Sequence, residues 1–271
     1  MTHEIITAGI DIGSSSAQAV ILKNNSILSF SNMNVGVNKE ETAFKALNSA
    51  MEKINISRNE IEFTVGTGYG RYQIPIANKN FTEITCHARG AHYFFPEART
   101  VLDMGGQDCK VMSCDQDGRV TAFAMNEKCA AGTGRSMEVI SRLLGIRLED
   151  IGPMSLDVEG EPPQLGSTCV VFAKSEALRM LRNGVPRNVV LAAFCEALTR
   201  RILLLLNRVE IKNELVISGG IAKNTGIVRR IEKSLDIHAH ICFEPQIVGA
   251  LGAAIIANKM CQEELNHSEK P

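Results

Sequence analysis

The feature that most constrains the fold of this 271-residue chain is a turn motif that occurs twice. One apolar run ends at Asp11-Ile12-Gly13, and another ends about ninety residues later at Asp103-Met104-Gly105. A further apolar segment follows each turn, so each motif predicts a strand, a tight glycine turn and a returning strand, with a carboxylate at the lip of the turn. One such hairpin is common, but two in corresponding places predict duplicated α/β subdomains that face each other.

The loop that follows the second hairpin combines two kinds of chemistry. Gly132-Thr133-Gly134 is a small, permissive segment that lets backbone N–H groups approach an anion. Apolar residues at helical spacing predict a helix over residues 135–145. Cys129 lies just before that helix, where the positive helix end favours a thiolate, and Cys169 lies shortly before a helix predicted to begin near residue 174. The loop therefore predicts an anion site beside a reactive sulfur.

Other glycine-rich and histidine-containing segments carry weaker signals. Gly219-Gly220 follows an apolar strand and precedes a helix, a junction that suits either a bound ring or a tight turn. The glycine loop at residues 66–71 is more often only a turn. His87 and His92 do not share a helical face, which favours packing over a metal site. Closely spaced small residues in 248–260 predict close helix packing.

Composition and charge exclude several classes of protein. The formal net charge of −1 argues against nucleic acid or an anionic membrane as the main partner. No apolar run reaches the roughly 18 residues that a membrane-spanning helix needs, and no secretory signal is visible, so we expect a cytoplasmic location. The eight cysteines form no Cys-x-x-Cys pair, and most of them are expected to be buried free thiols.

Three segments, at 9–15, 101–108 and 216–220, resemble in this order the phosphate-1, phosphate-2 and adenosine motifs of the acetate and sugar kinase/Hsp70/actin superfamily. The resemblance implies an α/β fold of duplicated ribonuclease-H-like (actin-like ATPase) subdomains with a nucleotide cleft between them. We expect subdomain I to comprise residues 1–97 plus 248–271, and subdomain II to comprise residues 98–247.

More narrowly, nearly all of the chain resembles the BadF/BadG/BcrA/BcrD-type ATPases, which include activators of 2-hydroxyacyl-CoA dehydratases and ATPase subunits of benzoyl-CoA reductase. The stretches that carry this resemblance are Gly68-Tyr69-Gly70-Arg71, Cys86-His87-Ala88-Arg89-Gly90, Gly105-Gly106-Gln107-Asp108, Asn126-Glu127-Lys128-Cys129-Ala130-Ala131-Gly132-Thr133-Gly134-Arg135 and Ser167-Thr168-Cys169. The longest of these strings is the most specific to the family.

The resemblance implies one [4Fe–4S] cluster shared between two subunits, with Cys129 and Cys169 of each chain as its ligands. Such a cluster normally takes four thiolates, so two cysteines per chain supply half of the site. A twofold axis through the cluster would supply the other half. We therefore expect a homodimer, whose shared cluster would be oxygen-sensitive and typical of an anaerobe.

The resemblance also implies a site for ATP or ADP with Mg²⁺. Asp11 and Asp103 are expected to hold Mg²⁺ through water, and one of them, or Gln107, to orient the attacking water. Gln18 stands where activators of this family usually have a lysine. The remaining residues expected to contact the nucleotide are Gly13, Ser14, Ser15, Gly105, Gly106, Gly132, Thr133, Gly134, Gly219, Gly220, Asn224 and Gln246.

The resemblance thus implies an ATP-hydrolysing electron donor, which would receive its electrons from a protein such as ferredoxin or flavodoxin. It would drive a low-potential electron into an iron–sulfur acyl-CoA dehydratase or reductase. Three alternatives stay open at this point. The chain could be a permanent ATPase subunit of a benzoyl-CoA reductase complex, a small-molecule kinase of the same superfamily without a cluster, or an actin-like or chaperone-like binding module.

Overall fold

The computed structural model describes residues 4–126, 133–166, 170–212 and 214–268. The chain divides into two compact units. Unit 1 comprises residues 1–98, 114–121 and 242–271, and unit 2 comprises residues 99–113 and 122–241. The subdomain bounds expected from the sequence, 1–97 plus 248–271 and 98–247, stay a prediction.

The chain combines strands and helices, as expected for an α/β protein. The strands are β1 (Ile6–Ile12), β2 (Ser16–Lys23), β3 (Ser26–Asn34), β4 (Phe63–Thr67), β5 (Lys79–Asn80), β6 (Thr100–Met104), β7 (Cys109–Cys114), β8 (Val120–Met125) and β9 (Leu215–Ser218). The helices are α1 (Lys39–Glu52), α2 (Glu83–Phe94), α3 (Gly134–Leu144), α4 (Ile151–Leu156), α5 (Val170–Arg182), α6 (Arg187–Leu206), α7 (Thr225–Leu235) and α8 (Val248–Ser268). None of the helices in the described ranges combines the length and the apolar composition that a membrane span requires.

Unit 1 is built on a sheet with the strand order β3-β2-β1-β4-β5. β1 pairs antiparallel with β2 and parallel with β4. Helix α1 buries Ala43, Ala46 and Leu47 in a core that it shares with Ile10 and Ile21 of the sheet. Its start is set by a helix cap, since the side chain of Asn38 accepts a hydrogen bond from the backbone of Glu41 at 3.1 Å.

Helix α8 packs unusually close to its neighbours in unit 1, as its small residues predict. A Cβ atom on Gly252 would overlap the backbone carbonyl of Cys86 on α2, and one on Gly9 of β1 would overlap the carbonyl of Ala250. Side chains larger than hydrogen at these positions would force the elements apart. The turn between β7 and β8 also belongs to unit 1, where Arg89 of α2 donates to the carbonyl of Asp117.

Unit 2 is built on a sheet with the strand order β8-β7-β6-β9 and on helices α3 to α7. Helix α6 supplies much of its core: Leu191, Leu198, Ile202 and Leu205 are all buried there. The apolar residues of 188–209 recur at helical spacing and predict a core helix, and α6 confirms that prediction. Helix α3 ends at Gly145, which adopts a left-handed conformation with φ +62° and stops the helix close to its predicted end.

The two units repeat one arrangement of strands. In unit 1 β1 lies between the antiparallel β2 and the parallel β4, and in unit 2 β6 lies between the antiparallel β7 and the parallel β9. The two Asp-x-Gly turns follow the equivalent strands β1 and β6. The duplication predicted from the turns is therefore present in the pairing of the strands as well.

Candidate functional site

The first Asp-x-Gly turn lies at the end of β1 in unit 1. Asp11 is buried, and the N–H of Gly13 donates to the carbonyl of Ser16 at 3.0 Å, which closes the turn. The carbonyl of Ser15 accepts from the backbone of Val35 at 3.0 Å, so the end of β3 anchors the turn from outside. A carboxylate is thus held beside a short turn of small residues, as the sequence predicts.

The second turn has the same internal hydrogen bond. Asp103 is buried at the end of β6, and the N–H of Gly105 donates to the carbonyl of Asp108 at 2.9 Å. Gly106 is half-buried and Gln107 is exposed. The hydroxyl of Ser218, at the end of β9, donates to Oδ1 of Asp103 at 3.4 Å.

A glycine packs against each of the two carboxylates. Gly68 follows β4 and Gly219 follows β9, and both have φ +84°, a conformation that side chains strongly disfavour. A Cβ on Gly68 would overlap Oδ1 of Asp11, and one on Gly219 would lie 2.7 Å from Oδ1 of Asp103. The loop at 66–71, which looks like an ordinary turn in the sequence, is therefore the counterpart in unit 1 of the Gly219 junction.

Asp11 is enclosed on its other side by α2 and α8. Nε2 of His87 lies 3.8 Å from Oδ2 of Asp11, and both side chains are more than nine-tenths buried. A Cβ on Gly249, at the start of α8, would overlap the same oxygen. The sequence favours packing for His87, but the carboxylate beside it could not be foreseen, because the two residues lie far apart in the chain.

The start of helix α3 is hydrogen-bonded to the second turn. The N–H of Gly134 donates to the carbonyl of Gly105 at 2.9 Å, and the N–H of Arg135 donates to the carbonyl of Gly106 at 2.8 Å. Thr133 is fully buried before them. The N–H of Gly134 is thus directed to the hairpin, so the helix start and the turn form one hydrogen-bonded piece of unit 2.

The residues after β9 are arranged around the start of α7. Gly220 is exposed and opens a short helical turn, Gly220–Lys223. Oδ1 of Asn224 caps α7 by accepting from the N–H of Ile227 at 3.0 Å. The amide nitrogen of Asn224 lies 3.9 Å from the sulfur of Met137, which connects this junction to α3.

Gln246 lies in unit 1, with the first hairpin. Its Oε1 accepts from Asn32 at 3.0 Å, and Oδ1 of Asn32 in turn accepts from the amide of Gln18 at 2.8 Å. The structure thus places the predicted nucleotide residues in two groups. In unit 1 these are Asp11, Gly13, Ser14, Ser15 and Gln246. In unit 2 they are Asp103, Gly105, Gly106, Gln107, Thr133, Gly134, Gly219, Gly220 and Asn224. Gly132, Cys129 and Cys169 lie outside the described residues.

The cysteines that the structure does describe are poor metal ligands. Their six thiols are all buried. Burial raises the pKa of Cys86 to about 12 and that of Cys195 to about 11, so both stay protonated near neutral pH. Among the described residues there is also no group of three or more His, Cys, Asp or Glu side chains that could hold a metal ion.

The BadF/BadG/BcrA/BcrD ATPase family model matches residues 8–257. The chain belongs to this ATPase family. An activator of lactoyl-CoA dehydratase from Anaerotignum propionicum is 39% identical over 259 residues, which cover 95% of this chain and 99% of the relative. A benzoyl-CoA reductase subunit from Thauera aromatica is 28% identical over 261 residues, which cover 92% of this chain and 92% of the relative.

Solved structures of related proteins match nearly the whole chain. Component A of the Acidaminococcus fermentans (R)-2-hydroxyglutaryl-CoA dehydratase has a TM-score of 0.91 at 35% identity, covering 95% of this chain and 99% of that one. The activator of the 2-hydroxyisocaproyl-CoA dehydratase from Clostridium difficile, solved with bound ADPNP, has a TM-score of 0.92 at 34% identity, covering 97% and 98%. A ROK family glucokinase from Streptomyces griseus, at 15% identity and a TM-score of 0.58 over 94% of this chain and 99% of that one, shares the fold. The actin-like ATPase fold is thereby confirmed.

Proposed function

We propose that this family member is an ATP-hydrolysing iron–sulfur electron donor that activates a 2-hydroxyacyl-CoA dehydratase. Two relatives that match this chain over nearly their full length are named as activators of such dehydratases. One observation supports a link between ATP hydrolysis and electron donation. It is the pair of backbone hydrogen bonds between the turn Gly105–Gly106 and the first residues of α3. A change at a bound phosphate can reach α3 through these bonds.

The residues present fit a magnesium nucleotide. Each unit has a buried carboxylate beside a turn of small residues, with a glycine packed directly against it. Carboxylates next to phosphates repel them unless a cation lies between, and Mg²⁺, when bound, supplies that charge compensation. Asp11 and Asp103 would hold the ion through water. Gln107, which is exposed in the second turn, would orient the attacking water.

The thiolates of Cys129 and Cys169 would hold half of a [4Fe–4S] cluster, which supplies a single low-potential electron when bound. Cys129 lies between β8 and α3, and Cys169 directly precedes α5. Partial positive charge at the two helix starts would stabilise thiolates there. The second half of the ligand set comes from another copy of the chain, so the active form is a homodimer.

Helix α3 would couple ATP hydrolysis to the cluster. Its first turn is bonded to the second hairpin, while Cys129 lies only a few residues before Thr133 along the chain. Movement of the Gly105–Gly106 turn on hydrolysis would shift α3 and with it the segment that carries Cys129. Exposure and hydrogen bonding around the sulfurs set the potential of such a centre, so a shift of this segment would change that potential.

The proposal is tested by anaerobic reconstitution. Protein supplied with iron and sulfide should turn brown, bind about four irons per dimer and, with ATP and a reduced ferredoxin or flavodoxin, activate a 2-hydroxyacyl-CoA dehydratase. ADP in place of ATP should give no activation. If the protein stayed colourless and monomeric after reconstitution, the proposed cluster and homodimer would be contradicted. An ATPase without an electron-transfer role would remain.

A second candidate is the ATPase subunit of a benzoyl-CoA reductase complex, favoured by the likeness to the Thauera aromatica subunit over nearly the whole chain. The lower identity of 28%, against 39% for the lactoyl-CoA dehydratase activator, places it second. Purification under mild anaerobic conditions separates the two: a free activator elutes as a homodimer, whereas a permanent subunit elutes with other chains.

His87 provides a test of the first carboxylate. Since its ring nitrogen lies 3.8 Å from Oδ2 of Asp11, His87→Leu removes a polar group beside a buried carboxylate and should lower the turnover of ATP about tenfold. His87→Gln, which keeps a donor near Oδ2, should lose about threefold at most. Steady-state hydrolysis measured against Mg²⁺ concentration checks both variants. Equal losses in Leu and Gln would show that only ring packing matters at this position.

A further inference from the structure

The two hairpins place different residues opposite their carboxylates. In the antiparallel pair β1–β2, Asp11 is opposite Gln18, and in the pair β6–β7, Asp103 is opposite Lys110. Directly opposed residues of an antiparallel pair project to the same face of the sheet. Lys110 therefore occupies in unit 2 the position that the neutral Gln18 occupies in unit 1, on the face that carries Asp103.

Lys110 is a buried cation. Its side chain is 3% exposed, and its Nζ lies 2.7 Å from Oδ2 of Asp108, whose side chain is 11% exposed. An ammonium group loses its hydration at such a depth and requires anionic partners. The pair joins Asp108, just before β7, to Lys110 within that strand, so both charges belong to the second hairpin.

The pair lies at the second turn. The carbonyl of Asp108 accepts the N–H of Gly105, and Oδ1 of Asp108 would lie 3.3 Å from a Cβ on Gly105. Lys110 thus brings a positive charge to a turn that carries two carboxylates, those of Asp103 and Asp108. A phosphate approaching this turn would be repelled by both carboxylates without the charge of Lys110.

We propose that Lys110 binds a phosphate oxygen of the nucleotide and is the phosphate-binding cation that Gln18 cannot supply. In the first hairpin the amide of Gln18 donates to Asn32 and carries no charge. In the second, Lys110 supplies an ammonium group, a charged donor that a neutral amide cannot replace. This inference rests on the proposed nucleotide site and adds a residue to it.

The test compares ADP, ATP and adenosine binding, measured by competition against a fluorescent nucleotide. Lys110→Met should weaken ADP and ATP binding at least about tenfold, since a charge-assisted hydrogen bond is lost, and should leave adenosine binding unchanged. Asp108→Asn is the matched control: it breaks the ion pair but keeps the cation, so ADP binding should be retained or tightened. The double variant Lys110→Met/Asp108→Asn leaves no buried unpaired charge, which protects the fold, and should bind nucleotides as weakly as Lys110→Met.

Each other outcome overturns the inference. Equal losses in Lys110→Met and Asp108→Asn would mean that the ion pair is only structural, and a parallel loss of adenosine binding would mean general damage to the site. Unchanged ADP binding in Lys110→Met, with normal binding by the wild type, would exclude the phosphate contact but leave the proposed function intact. A wild type that bound neither ADP nor ATP would instead contradict the proposed function itself.

Discussion

Gly219→Ala should lower the rate of ATP hydrolysis about 100-fold, the loss expected when a catalytic group is displaced by roughly 1 Å. The glycine has φ +84°, and a Cβ there would overlap the carbonyl of Met104 and press on Oδ1 of Asp103. Asp103 must shift to make room, and with it the carboxylate predicted to hold Mg²⁺. Steady-state hydrolysis, with thermal unfolding as the check on folding, measures the effect.

Gly184→Ala is the matched control for backbone strain. Gly184 has a similar φ of +79°, but nothing lies within 4 Å of its added Cβ. It should lose about 1–2 kcal/mol of stability from the left-handed conformation alone while retaining its ATPase rate. Gly68→Ala should behave like Gly219→Ala, since its Cβ would overlap Oδ1 of Asp11. If Gly184→Ala lost as much activity as Gly219→Ala, contact with the carboxylate would not be the cause.

Cys129→Ala and Cys169→Ala should each abolish the cluster. Removing one cysteine from every chain of a twofold site removes two of four ligands, and a cluster with only two thiolates left is not expected to survive purification. Iron content should fall from about four per dimer to below about one. Anaerobic iron and sulfide analysis on reconstituted protein measures this, and ADP binding should persist, since the hairpin residues are unchanged.

Cys195→Ala is the control for the loss of a thiol. Cys195 is buried on α6, and burial raises its pKa to about 11, so it stays a thiol rather than a metal-binding thiolate. The variant should keep its full complement of iron. Full iron content in Cys129→Ala would contradict the assigned ligands, and iron loss in all three variants would point to unfolding instead.

Local sequence was enough for those elements whose conformation depends on neighbouring residues. The turns after Asp11 and Asp103 were predicted because small residues follow a carboxylate at the end of an apolar run. Helices α3 and α6 were predicted because their apolar residues recur at helical spacing. The most specific part of the family resemblance lay in a contiguous string, residues 126–135, which needed no knowledge of packing.

The tertiary structure decided which of these elements meet. Gly68 matches Gly219 only because β4 pairs parallel with β1, as β9 pairs with β6, and no local pattern encodes the pairing of strands so far apart in the chain. His87 reaches Asp11 through the close packing of α2 and α8, which depends on Gly252 and its neighbours. Gln246 is hydrogen-bonded to Asn32 of β3, a contact between residues far apart in the chain, and its role at the nucleotide stays a prediction. Lys110 became a candidate for phosphate binding only when the register of β6 and β7 placed it opposite Asp103. Side-chain neighbours across a sheet are set by hydrogen bonding between strands and not by spacing along one strand.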